Sequence, residues 1–96
     1  MNVQIDGVSI KSEAEFHQAL ASALNLPAHY GANLDALWDT MTTDVERPVH
    51  LIWQNASVSR SAMPEKFESI VRLLKDVEKQ DSDFGWSDRF TISVHN

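Results

Sequence analysis

The sequence predicts a small α/β fold: a three-stranded parallel sheet covered by helices. Apolar runs suited to strands stand at residues 3–5, 49–53 and 90–94. The stretches between them carry apolar residues three and four apart, the spacing of helices with one buried face. Strands joined through helices pair in parallel, which fixes the class.

The elements follow in order. Val3 and Ile5 alternate with polar residues before Gly7, giving a short strand and a turn. Ser12 followed by Glu15 reads as a capping box, opening a helix with Phe16, Leu20, Ala23 and Leu24 inward. Asn25-Leu26-Pro27 ends it, because proline cannot continue a helix. Asn33 is a good N-cap for a second helix with Leu34, Leu37, Met41 and Val45 on one face. Pro48 precedes VHLIW (49–53), nearly continuously apolar, as suits a buried parallel strand. Residues 54–63 are polar, with room for one short helical turn. Pro64 fits the first turn of a long helix with Phe67, Ile70, Val71, Leu74 and Val77 inward. DSDFGWSDR (81–89) reads as a loop and FTISV (90–94) as the last strand, with Phe90, Ile92 and Val94 alternating.

Ninety-six residues suffice for one core and not for two, so a single domain over 1–96 is expected. The 43% apolar and 23% charged content is that of an ordinary globular protein. No cysteine is present, which removes disulfides and thiolate chemistry. MNVQIDGVSI lacks the apolar run of a secretory signal, and no segment is apolar enough to span a bilayer, so the cytoplasm is the expected compartment.

The formal net charge of −6 argues against nucleic acid or anionic lipid as a direct partner. Its distribution is more informative. Between Ser12 and Glu46 stand six acids (Glu13, Glu15, Asp35, Asp39, Asp44, Glu46) and no lysine or arginine. The remaining segments hold eight acids and eight basic residues, so the whole net charge lies in that one stretch. Confined charge points to a one-sided field and a cationic partner; a solvated acidic face is the plainer alternative.

Enzymatic patterns are sparse. The four histidines form no HExxH or similar ligand spacing, and neither GxSxG nor a phosphate-cradling glycine loop occurs. His29, Asp35 and Asp39 are the one set that could converge on a metal, and they lack a second histidine at the right spacing. Asp35 and Asp39, four apart on one helix, point the same way, so they would flank a partner rather than bracket a scissile bond. Neither catalysis nor a cofactor or metal is expected.

At about 100° per residue, Asp35, Asp39 and Thr42 fall roughly 80–140° from Leu34, off the core face. Trp38 falls on the border, about 40° away, able to pack one edge while the other faces the aspartates. The helix dipole favours Asp35 in the first turn. Asp39 has no such support, and its repulsion with Asp35 costs roughly 0.2–0.5 kcal/mol. A residue that costs local stability is better explained by what it meets elsewhere. The loop from Pro27 to Ala32 adds His29, Tyr30 and Gly31, the glycine free to take positive φ or admit a close backbone. On the last helix Leu73 lies off the apolar stripe, with Asp76 three residues on.

LNLPAHYGANLDALWD (24–39) resembles the barstar family, intracellular inhibitors of secreted bacterial ribonucleases. The pattern is long and free of gaps; the likeness extends to the element order and is weak by identity outside 24–53. The resemblance implies that the loop and helix 27–42 plug a ribonuclease active site, one inhibitor to one enzyme. Asp39 would then take the place of an RNA phosphate among basic side chains, with Asp35 beside it and Trp38 at the rim. Pro27, His29, Tyr30, Gly31, Asn33 and Leu34 would give loop and backbone contacts, and Thr42 an edge contact. Asp76 would be an outlying carboxylate with Leu73 packing near it. A carboxylate imitates the phosphodiester because both accept charge-assisted hydrogen bonds.

Three departures stand out. His29 replaces a family tyrosine, and a proton on its ring would set a positive charge against a positive site. Asp76 is shorter than the family's glutamate. The connection 81–89 is longer and carries Phe84 and Trp86. A non-inhibitory module for another basic protein or toxin, as in an immunity protein, is the alternative reading.

Overall fold

The computed structural model describes residues 1–96. Strands β1 (Asn2–Asp6), β2 (Val49–Gln54) and β3 (Phe90–Val94) form one sheet in the order β1-β2-β3, and both pairings are parallel. Val3, Leu51 and Ile92 stand side by side across the sheet, as do Ile5, Trp53 and Val94. The three-stranded parallel α/β class is the one the strand and helix pattern implied.

The helices lie on the Val3–Leu51–Trp53 face. Trp53, wholly buried, stacks on Phe16 of α1 (Glu13–Leu24) at 5.2 Å between centroids and meets Phe67 of α4 (Pro64–Asp83) at 5.0 Å. His50 and Ile52, on the opposite face of β2, are only half-buried. The apolar run of β2 therefore packs on one face, whereas burial on both was expected. His50 lies within hydrogen-bond distance of Thr91 (2.6 Å) and Ser93 (3.1 Å), which satisfies the open face with polar side chains.

Local signals explain most boundaries. The Ser12 hydroxyl oxygen accepts the Glu15 amide at 3.2 Å, while the Glu15 carboxylate accepts the Lys11 amide at 3.0 Å, one residue before the expected place. Asn25, left-handed at φ 53°, closes α1, and the Leu26 amide reaches back to the Ala21 carbonyl at 2.9 Å.

Three expectations are corrected. The polar stretch 54–63 contains a seven-residue helix, α3 (Ala56–Ala62), held by small residues rather than by an apolar stripe. Buried Ser59 donates to the Gly7 carbonyl at 3.1 Å, and a Cβ on Gly7 would lie 2.2 Å from the Asn55 carbonyl oxygen. Gly7 serves that close approach. Next, α4 continues to Asp83, so residues 81–83 are helical. Finally, α2 (Leu34–Asp39) passes into a wider π-helical turn at Thr40–Asp44, leaving Val45 extended and half-buried rather than on a helical core face.

The last helix also guards the sheet. Carboxylates of Asp81 and Glu78 accept the amides of Phe90 (2.7 Å) and Ile92 (2.8 Å), groups that edge strand β3 would otherwise offer to another chain.

Candidate functional site

The site begins with a cap. The Asn33 side-chain oxygen accepts the Ala36 amide at 2.8 Å, which starts α2 and places Asp35 in its first turn. Leu37 is wholly buried, so the opposite side of α2 faces outward with Asp35 and Asp39 exposed and Leu34 and Trp38 half-buried. Trp38 stands at the border, as the projection placed it.

Helix α2 packs beside α4, and a cleft of about 600 Å³ runs between them. Leu34, Asp35, Trp38 and Asp39 form one wall. Leu73 and Asp76, with Ser69 and Arg72, form the other. Folding thus gathers three carboxylates and three apolar side chains that stand up to 42 positions apart in the chain. None of Asp35, Asp39 and Asp76 is in an ion pair, and no protein donor binds their side chains.

The other acids of the 12–46 stretch fare differently. Glu13 accepts from His17 (3.0 Å) and pairs with Lys66 (3.3 Å), Glu15 caps α1, and Asp44 accepts from Thr43 at 3.3 Å. The hydrogen bond from His17, opposed by desolvation and aided by Lys66, holds the Glu13 carboxyl below its ordinary range. Of the six acids only Glu13 meets a lysine, so the stretch keeps its negative charge, and Asp35 and Asp39 are the two that line the cleft.

Arg72 was not among the residues singled out from the sequence. It is the one cation lining the cleft. Its spacing of four before Asp76 was the available signal, since both then share a helix face.

The loop before α2 lies outside the cleft lining, and its residues divide. Pro27, His29, Gly31 and Asn33 are exposed. Tyr30 is half-buried; its hydroxyl lies 2.7 Å from Nδ1 of buried His17, and burial followed by the Glu13 charge pushes its pKa up to about 12. Of the two uses open to Gly31, positive φ is not taken; the left-handed residue is Ala32, at 52°. Gly31 is small for another reason: a Cβ there would lie 3.0 Å from that of Ala36, against the start of α2.

Thr42 donates to the Trp38 carbonyl at 2.7 Å and lines a second groove, shared with Trp86. His29, Asp35 and Asp39 form no metal-holding group, and no helix is long and apolar enough to cross a membrane.

What the cleft offers chemically is acceptance. Three unpaired carboxylates flanking an aromatic edge suit a surface of arginine, lysine and histidine side chains. Two comparisons bear on this. The family model described as Barstar (barnase inhibitor) matches residues 1–92. The chain is also 29% identical, over 76 residues, to the Bacillus subtilis (strain 168) protein named "Putative ribonuclease inhibitor YrdF", covering 79% of this chain and 84% of that one.

Proposed function

The chain belongs to the barstar family, and on that premise we propose that it is an intracellular inhibitor of a barnase-like ribonuclease. It acts by binding, not by catalysis. The observation that carries this is the convergence of Asp35, Asp39 and Asp76, all unpaired, around Trp38 in one cleft.

A ribonuclease site is cationic because it binds a phosphodiester. Asp39 at the end of α2 takes the place of that phosphate among the enzyme's basic groups, and Asp35 binds beside it. Trp38, Leu34 and Leu73 exclude water at the rim, which strengthens the ionic contacts. Asp76 adds a contact from α4. His29, Gly31, Asn33 and Pro27 supply the loop edge, Tyr30 holds that edge from beneath, and Thr42 lies at the far margin. The clustered carboxylates also steer a basic enzyme inward, so association slows with added salt. Such an inhibitor protects the cytoplasm of the cell that makes the nuclease, or serves as the immunity half of a toxin pair.

Titrating purified protein into barnase-type ribonucleases while following RNA cleavage tests this reading. We expect one-to-one inhibition by submicromolar protein. Uninhibited cleavage at micromolar protein throughout the panel excludes this partner class.

A second reading starts from the same unpaired carboxylates, which suit any cationic surface and not a nuclease alone. In that reading the scaffold docks another basic protein without blocking a nuclease. Repeated capture of a nuclease from native extract, and of nothing else, counts against it.

A further inference from the structure

Apart from Thr42, the groove between the π-helical turn and the loop after α4 has no part in the function proposed above. It measures about 640 Å³, with Thr42 and Arg47 on one wall and Trp86 and Asp88 on the other. Trp86 is 44% exposed and its neighbour Phe84 is 60% exposed, with ring centroids 5.3 Å apart. Two adjacent aromatic rings left in water form an apolar patch of the kind a partner can cover.

The ring of Trp86 is held in place. The Arg47 guanidinium stands 5.9 Å from its centroid. Arg47 is itself fixed by two hydrogen bonds to Asp81, at 2.8 and 3.1 Å, and one to the Val45 carbonyl at 2.6 Å. Arg89 donates to the Trp86 carbonyl. Asp88, across from Thr42, has neither an ion pair nor a side-chain hydrogen bond. Asp81 neutralises Arg47, and Asp88 is the one carboxylate lining the groove; Arg89, next to it in the chain, is turned to the Trp86 carbonyl and makes no ion pair with it.

Thr42 joins this groove to the acidic cleft. Its hydroxyl binds the carbonyl of Trp38, which lines the cleft, so a protein seated on Trp38 and Asp39 meets Thr42 one turn further on. We propose that the groove is a second contact for the same cationic nuclease, receiving one of its arginine or lysine side chains. The aliphatic stem lies on Trp86 and the charge meets Asp88. The unpaired Asp88 and continuity with the acidic cleft through Thr42 select this occupant. A tryptophan face attracts a cation, and a carboxylate fixes it by charge-assisted hydrogen bonds. This inference rests on the inhibitor reading.

The test compares inhibition of barnase-type ribonucleases, barnase among them, by the full chain and by Trp86→Ala, Asp88→Asn and Asp39→Ala. Trp86→Ala and Asp88→Asn should each raise the inhibition constant about tenfold, and the double variant by less than their product. Asp88→Asn should also flatten the salt dependence. Asp88 is exposed, so its neutral isostere isolates binding from any loosening of the loop in Trp86→Ala. If Asp39→Ala weakens inhibition while both groove variants match the parent, this contact is wrong and the inhibitor reading stands. If the parent inhibits none of the nucleases, both are wrong.

Discussion

Nδ1 of His17 lies 2.7 Å from the hydroxyl of Tyr30, and this contact fastens the loop before α2 to α1. The other ring nitrogen faces the Glu13 carboxylate at 3.0 Å. A carboxylate only accepts, so Nε2 carries the proton of the neutral ring and Nδ1 accepts from the tyrosine. Lys66 of α4 completes the chain by pairing with Glu13 at 3.3 Å. Removing the tyrosine hydroxyl leaves a buried nitrogen without its partner. We expect Tyr30→Phe to lower stability by about 1–3 kcal/mol in urea denaturation. An unchanged midpoint would show that the contact contributes nothing.

The same tyrosine sets an alkaline signature. Its pKa rises from 10.0 to about 12 on folding, through burial and then the Glu13 charge. The folded state keeps the proton where the unfolded chain has lost it, so this contribution is whole below pH 10 and disappears as pH climbs toward 12. Tyr30 is the chain's one tyrosine. The difference in stability between parent and Tyr30→Phe should therefore shrink across that window, as read by denaturation at stepped pH; a constant difference contradicts the shift.

Asp81 is 1% exposed and pairs with Arg47 from 34 positions away. Burial pushes its carboxyl up, but hydrogen bonds from Arg47 and the Phe90 amide, with the charges of Arg47 and Arg89, outweigh it and hold the group below the ordinary carboxylate range. The contribution is thus present at neutral pH and lost as pH falls through the lowered value. Asp81→Ala should cost about 3–5 kcal/mol, because it strands the guanidinium and the β3 amide together. Asp81→Asn should show a shallower acid-side loss of stability than the parent. Equal acid profiles would assign that loss to other carboxylates.

Ala32 holds φ at 52°, a conformation costing an L-residue about 1–2 kcal/mol. Glycine avoids that cost but loses roughly 0.5–1 kcal/mol more to conformational entropy. Ala32→Gly should therefore leave stability level or raise it by up to about 1.5 kcal/mol in thermal unfolding. A clear drop would mean the Ala32 methyl makes a contact worth more than the backbone cost.

How much of this was readable in advance depended on where each cause lay. The strands, Ser12 and Asn33 as caps, and the inward faces of α1 and α4 rest on local patterns, and the structure repeats them. Helix α3 is longer than the single turn its sequence suggests, because Ser59 is buried against the Gly7 backbone across the chain and leaves no apolar period to detect. The final turn of α4 was read as loop because Asp81 is polar, and its partner Arg47 is remote in sequence. At the site, the outward carboxylates of α2 and the border position of Trp38 followed from helical spacing alone. The nearness of Asp76 and Leu73 to them is tertiary, and only the family resemblance pointed to it. Arg72 carries only a weak signal, its spacing of four before Asp76, which many solvated helix faces share.

The most direct measurement compares inhibition of a barnase-type ribonuclease by Asp39→Ala and Asp44→Ala. Both remove one exposed acid from the same stretch, but Asp39 lines the cleft and Asp44 lies beyond it. Truncating one side of a desolvated interfacial ion pair costs about 2–5 kcal/mol, a range informed in part by barnase with barstar themselves. We expect Asp39→Ala to raise the inhibition constant by roughly thirtyfold or more and Asp44→Ala by about threefold at most. Comparable losses from the two would mean that the acidic field attracts the partner while the α2–α4 cleft does not hold it.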